Sequence, residues 1–156
     1  MDDVGVGLGF DVHTREEGRE LWLGGVRFDD ETGLAGHSDG DVVCHAVADA
    51  VLGAGALGDV GQHFPDTDPL TEGISGADLL ARTLAIAGGA GLALVSSDIT
   101  VICDRPSIDA RREEMRRTLA EALRLPIERV SVKATRPEGL GLSGDGIGCI
   151  AIAVLR

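Results

Sequence analysis

The chain has 156 residues, 44% of them hydrophobic, which suits one globular domain with a buried core and excludes a disordered chain. Its 26 acidic residues outweigh its 14 basic ones to a formal net charge of −12, so we exclude nucleic acids and anionic membranes as partners. No apolar run approaches the roughly 18 residues that span a bilayer. The N-terminus MDDVG is acidic and lacks a signal-peptide pattern, so we expect a cytoplasmic protein.

Two details of the composition bear on the protein's environment. Lys133 is the only lysine among the basic residues, and an acidic, lysine-poor surface suits solubility in concentrated salt, so we expect a halophilic source. The three cysteines, Cys44, Cys103 and Cys149, are odd in number and widely separated. We expect them to be reduced and mostly buried, as in a cytosolic protein.

The first half of the chain predicts a strand, a hairpin and a helix. Residues 4–11 are predicted as the first strand, and LWLGGVRF predicts two short strands joined at the double glycine. In GHSDGDVVCHAVADAVLGAG we predict a helix with Ser38 as its N-cap and Asp41 completing a near capping box. This helix should run to about Leu52 and end in the glycines that follow.

The second half continues the alternation of helices and strands. A loop, GDVGQHFPDTDPLTEG, precedes the predicted helix SGADLLARTLAIAGGAG, which its glycines should end. LALVSSDITVICD predicts a long strand, SIDARREEMRRTLAEALRL an amphipathic helix, and RVSVKAT and GCIAIAVL the last two strands. The pattern favours an α+β or α/β single domain spanning 1–156. Of these we predict α+β, a mixed β-sheet with helices packed on one face plus a short β-hairpin.

The stretch GFDVH and the helix after it contain candidate metal ligands. Asp11 and His13 are two residues apart on a strand, so both can reach one ion, although Asp-x-His alone is weak evidence. Asp41, His45 and Asp49 follow one another at four-residue steps and should form a polar stripe on an otherwise apolar helix. Such a stripe is usually just an exposed face.

If the first strand packs beside this helix, the two elements can form a metal centre. Asp11, His13 and His45 then make two imidazoles and one carboxylate, and three protein ligands with an open fourth position are typical of catalytic zinc. Spacing alone leaves Asp39 and Asp41 open as the carboxylate. An ion there can polarise a phosphoryl oxygen or hold a phosphate.

Three further stretches carry groups suited to a phosphorylated ligand. The predicted helix N-terminus at HSDG, beside His37, offers backbone amides to an anion. The loop after the helix could bind a polyol through Asp59 or Asp66, although an idle solvated turn is favoured for an isolated acidic loop. VKATRPEGLG supplies phosphate-binding groups and one hard-metal carboxylate, or is simply a charged turn; the residues concerned are Lys133, Thr135, Arg136 and Glu138. In so acidic a chain, an anionic substrate needs such local cations and metal ions.

These stretches, in this order, resemble the 2-C-methyl-D-erythritol 2,4-cyclodiphosphate synthases of the non-mevalonate isoprenoid pathway. The matching segments are GFDVH, GGVRF, GHSDGDVVCHAVADAVLGAGALGDVGQHFPDTDP, SDITVICDRP and VKAT-x-x-E-x-LG, and they extend from about Val4 to Leu155. The resemblance implies a homotrimer assembled around the sheets, with active sites between subunits. It implies a CMP-releasing, cyclising phosphorus–oxygen lyase. The 2-phosphate of 4-diphosphocytidyl-2-C-methyl-D-erythritol 2-phosphate attacks the β-phosphorus of its own diphosphate.

The resemblance also implies residue roles. It implies one zinc ion per subunit on Asp11, His13 and His45, and a Mg²⁺ or Mn²⁺ ion, helped by Glu138, with the substrate diphosphate. Catalytic roles fall on His37, Asp59, Thr135 and Glu138. Substrate contacts fall on Asp11, His13, His37, Ser38, Asp59, Gly61, Asp66, Cys103, Pro106, Ile108 and Thr135, to which we add Arg136. Of these, Cys103, Pro106, Ile108 and Thr135 match the cytidine pocket of the neighbouring subunit.

The chain departs from the family pattern at several positions. Ser107 stands where a lysine is common in the cytidine pocket, and Arg105 or Arg112 would have to replace that lysine. Arg136, followed by Pro137, stands after KAT where a second threonine is usual. In LSGDGIG, the family's Phe, Arg and Glu are replaced; the residues are Leu142, Asp145 and Ile147. The last set removes the arginine that would partner an isoprenoid diphosphate at the trimer centre.

Two other functions fit the same residues. A metal-dependent phosphohydrolase could use the same ligands with water as the nucleophile. A zinc-stabilised trimeric binding module would hold zinc tightly without turnover and would dissociate on chelation. The long match from HSDGD to FPDTD favours the synthase, because a structural metal site does not need the second acidic loop.

Overall fold

The computed structural model describes residues 4–29, 32–141 and 145–156. In chain order its elements are β1 (Gly5–His13), β2 (Arg15–Glu17), β3 (Leu21–Leu23), β4 (Val26–Phe28), β5 (Thr32–Leu34), α1 (Val42–Ala54), α2 (Val60–His63), α3 (Gly76–Gly89), β6 (Leu94–Ile102), α4 (Arg112–Ala122), β7 (Val130–Thr135) and β8 (Ile147–Leu155). Short 3₁₀ turns lie at Pro69–Thr71, Asp109–Arg111 and Ile127–Arg129.

The main sheet is mixed, as predicted. Its strand order is β1-β8-β6-β7, with β8 antiparallel to both of its neighbours and β7 parallel to β6. The parallel pair needs a crossover, which α4 provides. β3 and β4 form the predicted hairpin, and both glycines at its turn, Gly24 and Gly25, have positive φ, as a two-residue turn of this kind requires. The pairing of β2 with β5 is an addition that the sequence pattern does not predict.

Helix α1 packs directly on β1, which confirms the condition for a shared metal centre. Alternate residues of β1 are glycines, and a Cβ built on any of them would lie within 2.1 Å of an α1 carbonyl oxygen. The contacting pairs are Gly5 with Ala54, Gly7 with Ala50 and Gly9 with Ala46. Four helical residues rise about 6.0 Å and two strand residues about 6.7 Å, so the glycine and alanine stripes stay in step along the contact.

The start of α1 differs from the prediction. Its N-cap is Asp41, not Ser38, and the fully buried Asp41 carboxylate accepts hydrogen bonds from the amides of Val43 and Cys44. A charged acceptor at this position satisfies the first-turn amides more strongly than a hydroxyl placed three residues earlier would. Asp41 is therefore not part of an exposed stripe. The amides of Val43 and Cys44 at this helix end are thus already bonded to Asp41, and the anion site at HSDG stays a prediction.

The two faces of the sheet have different surroundings. The helices cover one face, and the core of the described residues lies between them and the sheet. On the other face, which we call the open sheet face, large apolar side chains of β1 and β8 are exposed: Val6 (66%), Leu8 (66%), Phe10 (44%), Val12 (44%) and Ile152 (38%). Towards β6 and β7 the open sheet face becomes polar, with an ion pair of 2.7 Å between Lys133 Nζ and Asp98 Oδ2.

Two smaller expectations can be checked against the same fold. All three cysteines are buried free thiols, as predicted. None of the helices described combines the length and the apolar character needed to cross a bilayer.

The close contact of β1 with α1 predicts that Gly9→Ala is strongly destabilising. The new Cβ would lie 1.8 Å from the Ala46 carbonyl oxygen and 2.7 Å from the Ala50 nitrogen, so the helix would have to move. We expect the free energy of unfolding to fall by about 3 kcal/mol, the upper end of ordinary overpacking costs. Gly88→Ala in α3 is the control, since, its chain neighbours and the backbone of its own helix aside, no atom of the described residues lies within 4 Å of the new Cβ. It should gain up to about 1 kcal/mol. Urea unfolding at one protein concentration measures both, and equal stability of the two variants would contradict the packing argument.

Candidate active site

β1 and α1 bring together the three predicted metal ligands. Asp11 Oδ2 lies 2.7 Å from His13 Nε2 and 3.2 Å from His45 Nδ1. One ligand atom from each residue lies within 4.8 Å of the others, and no second such group is found among the described residues. The carboxylate that spacing alone leaves open is thus Asp11.

The other two candidate carboxylates are engaged elsewhere. Asp41 caps α1, as described above. The Asp39 carboxylate accepts hydrogen bonds from the amides of Asp41, at 3.0 Å, and Gly76, at 2.8 Å, and so ties the start of α3 to the loop before α1. Burial, followed by the charge of Asp41, raises the pKa of Asp39.

Both imidazoles of the triad are oriented by a second contact. His13 Nδ1 donates to the Ala35 carbonyl at 2.6 Å, because a carbonyl can only accept, and His45 Nε2 lies 3.0 Å from Ser38 Oγ. Each ring therefore has one nitrogen held by the protein and turns the other towards Asp11. Protein metal sites commonly orient their histidines in this way.

The electrostatics of the triad favour a positive charge at its centre. Burial alone raises the pKa of Asp11, but the hydrogen bonds and charges of His13 and His45 outweigh it and hold that pKa well below its usual range. Burial alone lowers the pKa of His13, but the hydrogen bond and charge of Asp11 outweigh it and raise that pKa. A divalent cation supplies the same positive charge.

The donor set and its spacing fit zinc. Tetrahedral bonds of about 2.0–2.1 Å place neighbouring donor atoms about 3.3 Å apart. The observed separations from Asp11 Oδ2, 2.7 and 3.2 Å, need only small side-chain shifts to match. Two imidazoles and one carboxylate leave a fourth position for a ligand.

The triad opens into a cavity of about 380 Å³, which we call the first cavity. Its lining is His13, Gly36, His37, Ser38, His45, Val60, Gly61, Phe64, Pro65, Asp66, Thr71, Ile74 and Leu79. The structure thus gathers His37, Ser38, Gly61 and Asp66, which come from two separate stretches of the sequence, around the triad. Nε2 of His37 is buried without a hydrogen-bond partner in the part of the chain described here, so it is available to a bound molecule.

Asp59 has a local structural role. Its carboxylate accepts from the Gln62 amide at 2.9 Å while its own amide donates to Gln62 Oε1 at 3.3 Å, which forms a capping box at the start of α2. Asp59 is exposed and does not line the first cavity. Its contact with a polyol stays a prediction, and the segment is a short capped helix rather than an idle turn.

A second cavity, of about 220 Å³, collects the predicted cytidine-pocket residues. Its lining is Cys103, Asp104, Pro106, Ser107, Ile108, Asp109, Ala134, Thr135 and Arg136. Burial raises the pKa of Cys103 to about 11, so the thiol is neutral there. Arg136 is the only cation among these lining residues. The first and second cavities have no lining residue in common.

Several residues proposed for phosphate or ligand contacts lie elsewhere. Lys133 pairs with Asp98 on the open sheet face, so it is not free to bind phosphate with the other residues of its stretch. Glu138 is exposed, has a φ of 53°, and lines neither cavity. Neither arginine considered as a substitute at Ser107 lines the second cavity: Arg112 pairs with Asp109, and Arg105 lines a polar cavity that shares only Asp104 with the second one.

The three positions at which the chain departs from the family's central cavity also lie in different places. Asp145 is exposed and lines the same polar cavity as Arg105. Ile147 is fully buried on the helix-covered face of β8. Leu142 lies outside the described residues.

Sequence reasoning missed three parts of the site. The apolar wall of the first cavity, Val60, Phe64, Ile74 and Leu79, had a signal in the apolar residues that flank the acidic loop. The Ala35 carbonyl that orients His13 has no signal, because every residue carries a carbonyl. The third is the hydrogen bond of 2.8 Å from the Val60 amide to Asp49 Oδ1, since the sequence marks Asp49 only as part of a polar stripe.

An α+β domain whose metal-binding triad opens into a polar and apolar cavity defines the class of protein, an enzyme with a site for a metal ion. The model of the YgbB family matches residues 4–156, so the chain belongs to that family. The 2-C-methyl-D-erythritol 2,4-cyclodiphosphate synthase of Geobacter metallireducens is 51% identical over 150 residues, which are 96% of either chain. The synthase of Geobacillus kaustophilus is 49% identical over 150 residues, 96% of this chain and 95% of the relative.

Solved structures agree with this assignment. A 2C-methyl-D-erythritol-2,4-cyclodiphosphate synthase in its CDP-bound form superposes with a TM-score of 0.89 at 34% identity, covering 97% of this chain and 99% of the other. The CDP complex of the Plasmodium falciparum IspF gives a TM-score of 0.83 at 28% identity, covering 99% and 97%. The expected family is confirmed.

The triad predicts that His45→Ala abolishes metal binding. Loss of one imidazole leaves two protein ligands, too few for a stable zinc site. We expect metal content, measured by mass spectrometry of the elements after dialysis, to fall from one ion per chain to less than about a tenth. His63→Ala is the control, because His63 is exposed and its Nε2 bonds only the Leu57 carbonyl in the structure described. Equal metal content in both variants would show that the ion binds elsewhere.

Proposed function

We propose that the chain catalyses the reaction of the synthases to which it is similar. Its substrate would be 4-diphosphocytidyl-2-C-methyl-D-erythritol 2-phosphate, and its products 2-C-methyl-D-erythritol 2,4-cyclodiphosphate and CMP. The observation that carries the proposal is the oriented triad of Asp11, His13 and His45 at a cavity that also contains His37 Nε2, which bonds none of the described residues. Membership of the YgbB family supports the choice of reaction.

The reaction needs no nucleophile from the protein. A bond forms between an oxygen of the substrate's 2-phosphate and its β-phosphorus, and the bond from that phosphorus to the bridging oxygen breaks, so CMP leaves with the bridging oxygen. The work left to the protein is to fold the substrate back on itself and to neutralise its charge. Positioning and electrostatic stabilisation carry most phosphoryl transfers.

We assign zinc, one ion per subunit, to Asp11, His13 and His45. When bound, zinc polarises a phosphoryl oxygen and offsets its negative charge. We assign Mg²⁺ or Mn²⁺ to the substrate diphosphate, with the exposed carboxylate of Glu138 as its protein ligand. Because Glu138 lines neither cavity of its own chain, this assignment requires the substrate or a neighbouring subunit to bring the second ion to it.

The first cavity is proposed to bind the erythritol and phosphate groups. His37 Nε2 would donate to a phosphate oxygen, and Ser38 Oγ, already beside His45, would hold the same end of the substrate. The hydroxyl groups would be bound by the loop with Asp59, Gly61 and Asp66. Catalytic roles are proposed for His37 and Asp59 here and for Thr135 and Glu138 near the diphosphate.

The second cavity is proposed to bind the cytidine and the adjoining phosphate. Its lining residues Cys103, Pro106 and Ile108 form a small, largely buried wall beside the exposed Thr135 and Arg136. The Arg136 guanidinium would bind diphosphate oxygens, which a chain of net charge −12 otherwise repels. The CDP complexes of the similar structures support a cytidine site.

We further propose that the active protein is a homotrimer with active sites between subunits. The two cavities share no lining residue, so one chain does not offer the metal centre and the cytidine pocket as one site. The open sheet face exposes contiguous apolar side chains along β1, which a soluble monomer seldom does without function. Association through this face would bury it and allow one subunit's first cavity to adjoin another's second.

The trimer proposal predicts that Leu8→Asp dissociates the assembly. A carboxylate placed on the open sheet face would be buried without a partner on association. We expect sedimentation analysis to give a mass of about three chains for the unaltered protein and one chain for the variant. Leu70→Asp is the matched control, because Leu70 is 78% exposed and lies on the loop between α2 and α3, off the sheet. A trimeric Leu8→Asp variant, or a monomeric starting protein, would contradict the proposal.

The reaction is tested by phosphorus NMR with the cytidine-diphosphate substrate and magnesium in concentrated salt, with and without a chelator. We expect CMP and a cyclic diphosphate to form, and chelation or His45→Ala to abolish both, whereas His63→Ala retains both. Free phosphate or an uncyclised product would favour the metal-dependent phosphohydrolase. An intact substrate with one bound zinc per chain, and a trimer that dissociates on chelation, would favour the binding module.

A further inference from the structure

Asp49 is a polar residue of α1 that the proposed reaction does not use. It follows the metal ligand His45 by one helical turn and is half-buried. Its Oδ1 accepts a hydrogen bond of 2.8 Å from the backbone amide of Val60, the first residue of α2. The acceptor is a side-chain oxygen, and α1 does not need this bond for its own backbone. The bond therefore stabilises the position of the segment that contains Val60.

The segment that Asp49 contacts needs external support. α2 has four residues, too few to be stable as an isolated helix in water. Asp59 satisfies the Gln62 amide, and the His63 ring bonds the Leu57 carbonyl at 2.7 Å, but both contacts lie within the segment itself. The Asp49 bond joins α2 itself to the helix carrying His45. A second bond to that helix, from the Leu57 amide to the Leu52 carbonyl at 2.9 Å, lies before α2 begins.

The same segment forms one wall of the first cavity. Val60 and Gly61 line that cavity together with His13 and His45. A shift of α2 would therefore change the distance between the substrate-binding loop and the metal centre. Misplacement of reacting groups by about 1 Å can cost roughly 100-fold in rate.

We propose that Asp49 is a positioning residue that holds α2 and its cavity-lining residues at a set distance from the metal ligands. It acts through Val60 and touches no substrate. The kinetic part of this proposal rests on the proposed function, whereas the structural part does not.

The role requires a hydrogen-bond acceptor rather than a negative charge. Burial raises the pKa of Asp49, and although the Val60 bond lowers it, the charges of Asp11 and Asp59 raise it further. The charge of His45 lowers it. The contact that α2 receives is the acceptor oxygen itself, 2.8 Å from the Val60 nitrogen. An asparagine amide oxygen can accept the same bond, so Asp49→Asn should preserve the function and Asp49→Ala should not.

The bond can also be removed from its other end. Val60→Pro deletes the donor N–H and leaves Asp49 in place. Proline is well tolerated at the first position of a helix, and the extended backbone of Asp59 before it suits a following proline. Asp49→Ala and Val60→Pro should therefore have similar effects if the bond itself matters. If one of them folds poorly, the other still tests the bond.

The first test is hydrogen exchange of the metal-loaded protein without substrate. In Asp49→Ala we expect the Val60 amide and its neighbours up to His63 to exchange about 10-fold faster, as loss of one hydrogen bond implies. Asp49→Asn should exchange as the unaltered protein does, and all variants should keep one metal ion per chain. Asp78→Ala is the control for loss of one exposed acidic residue, since Asp78 lies at the start of α3, outside the first cavity. Unchanged protection in Asp49→Ala would overturn the proposal.

The second test is steady-state kinetics of the same proteins. We expect kcat/KM to fall roughly 10- to 100-fold in Asp49→Ala and Val60→Pro, and to stay within about twofold in Asp49→Asn and Asp78→Ala. Lost protection with unchanged kcat/KM, or an Asp49→Asn variant as impaired as Asp49→Ala, would overturn the positioning role. If the unaltered protein makes no cyclic product, the proposed function fails, and the exchange test alone then decides whether Asp49 holds α2.

Discussion

The contact between the glycines of β1 and the alanines of α1 is the constraint on which the site depends. Because Gly7 and Gly9 have no Cβ, carbonyl oxygens of the helix occupy the space that a Cβ on either residue would need. Asp11 follows Gly9 by two residues on the strand, and His45 directly precedes Ala46, the helix residue that Gly9 contacts. The metal triad is thus the end of a packing pattern, and its geometry follows from that pattern.

Asp41 determines where that helix begins. Its fully buried carboxylate accepts four backbone amides, two from the first turn of α1 and two from the double glycine of the β3–β4 hairpin, at 2.7–3.1 Å. A buried charge is tolerated when its hydrogen bonds are complete, and removing it would leave four donors unsatisfied. Asp41 thus links the hairpin to α1 and fixes the start of the helix that carries His45.

A single helix therefore carries three different tasks at successive turns. Asp41 anchors the N-terminus, His45 is a metal ligand, and Asp49 bonds the segment that lines the first cavity. In a strongly acidic chain, two of these carboxylates are stabilised by backbone amides rather than by cations. This arrangement leaves Arg136 as a cation available to an anionic ligand at the second cavity.

Much of this protein follows from the sequence by itself. The strands of the main sheet, the three long helices, the hairpin and the placement of Asp11 and His13 on one strand face depend on local periodicity and turn chemistry, which neighbouring residues set. The β2–β5 pairing and α2 do not follow from that pattern. Helical spacing makes His45 a candidate ligand and the family resemblance implies zinc there, whereas spacing alone leaves Asp39 and Asp41 open beside Asp11 as the carboxylate. Only the tertiary structure decided that Asp41 is a cap, that the Ala35 carbonyl orients His13, and that Asp49 bonds Val60. These contacts join residues distant in the chain, and most use backbone amides and carbonyls, which nearly every residue carries and no side chain marks.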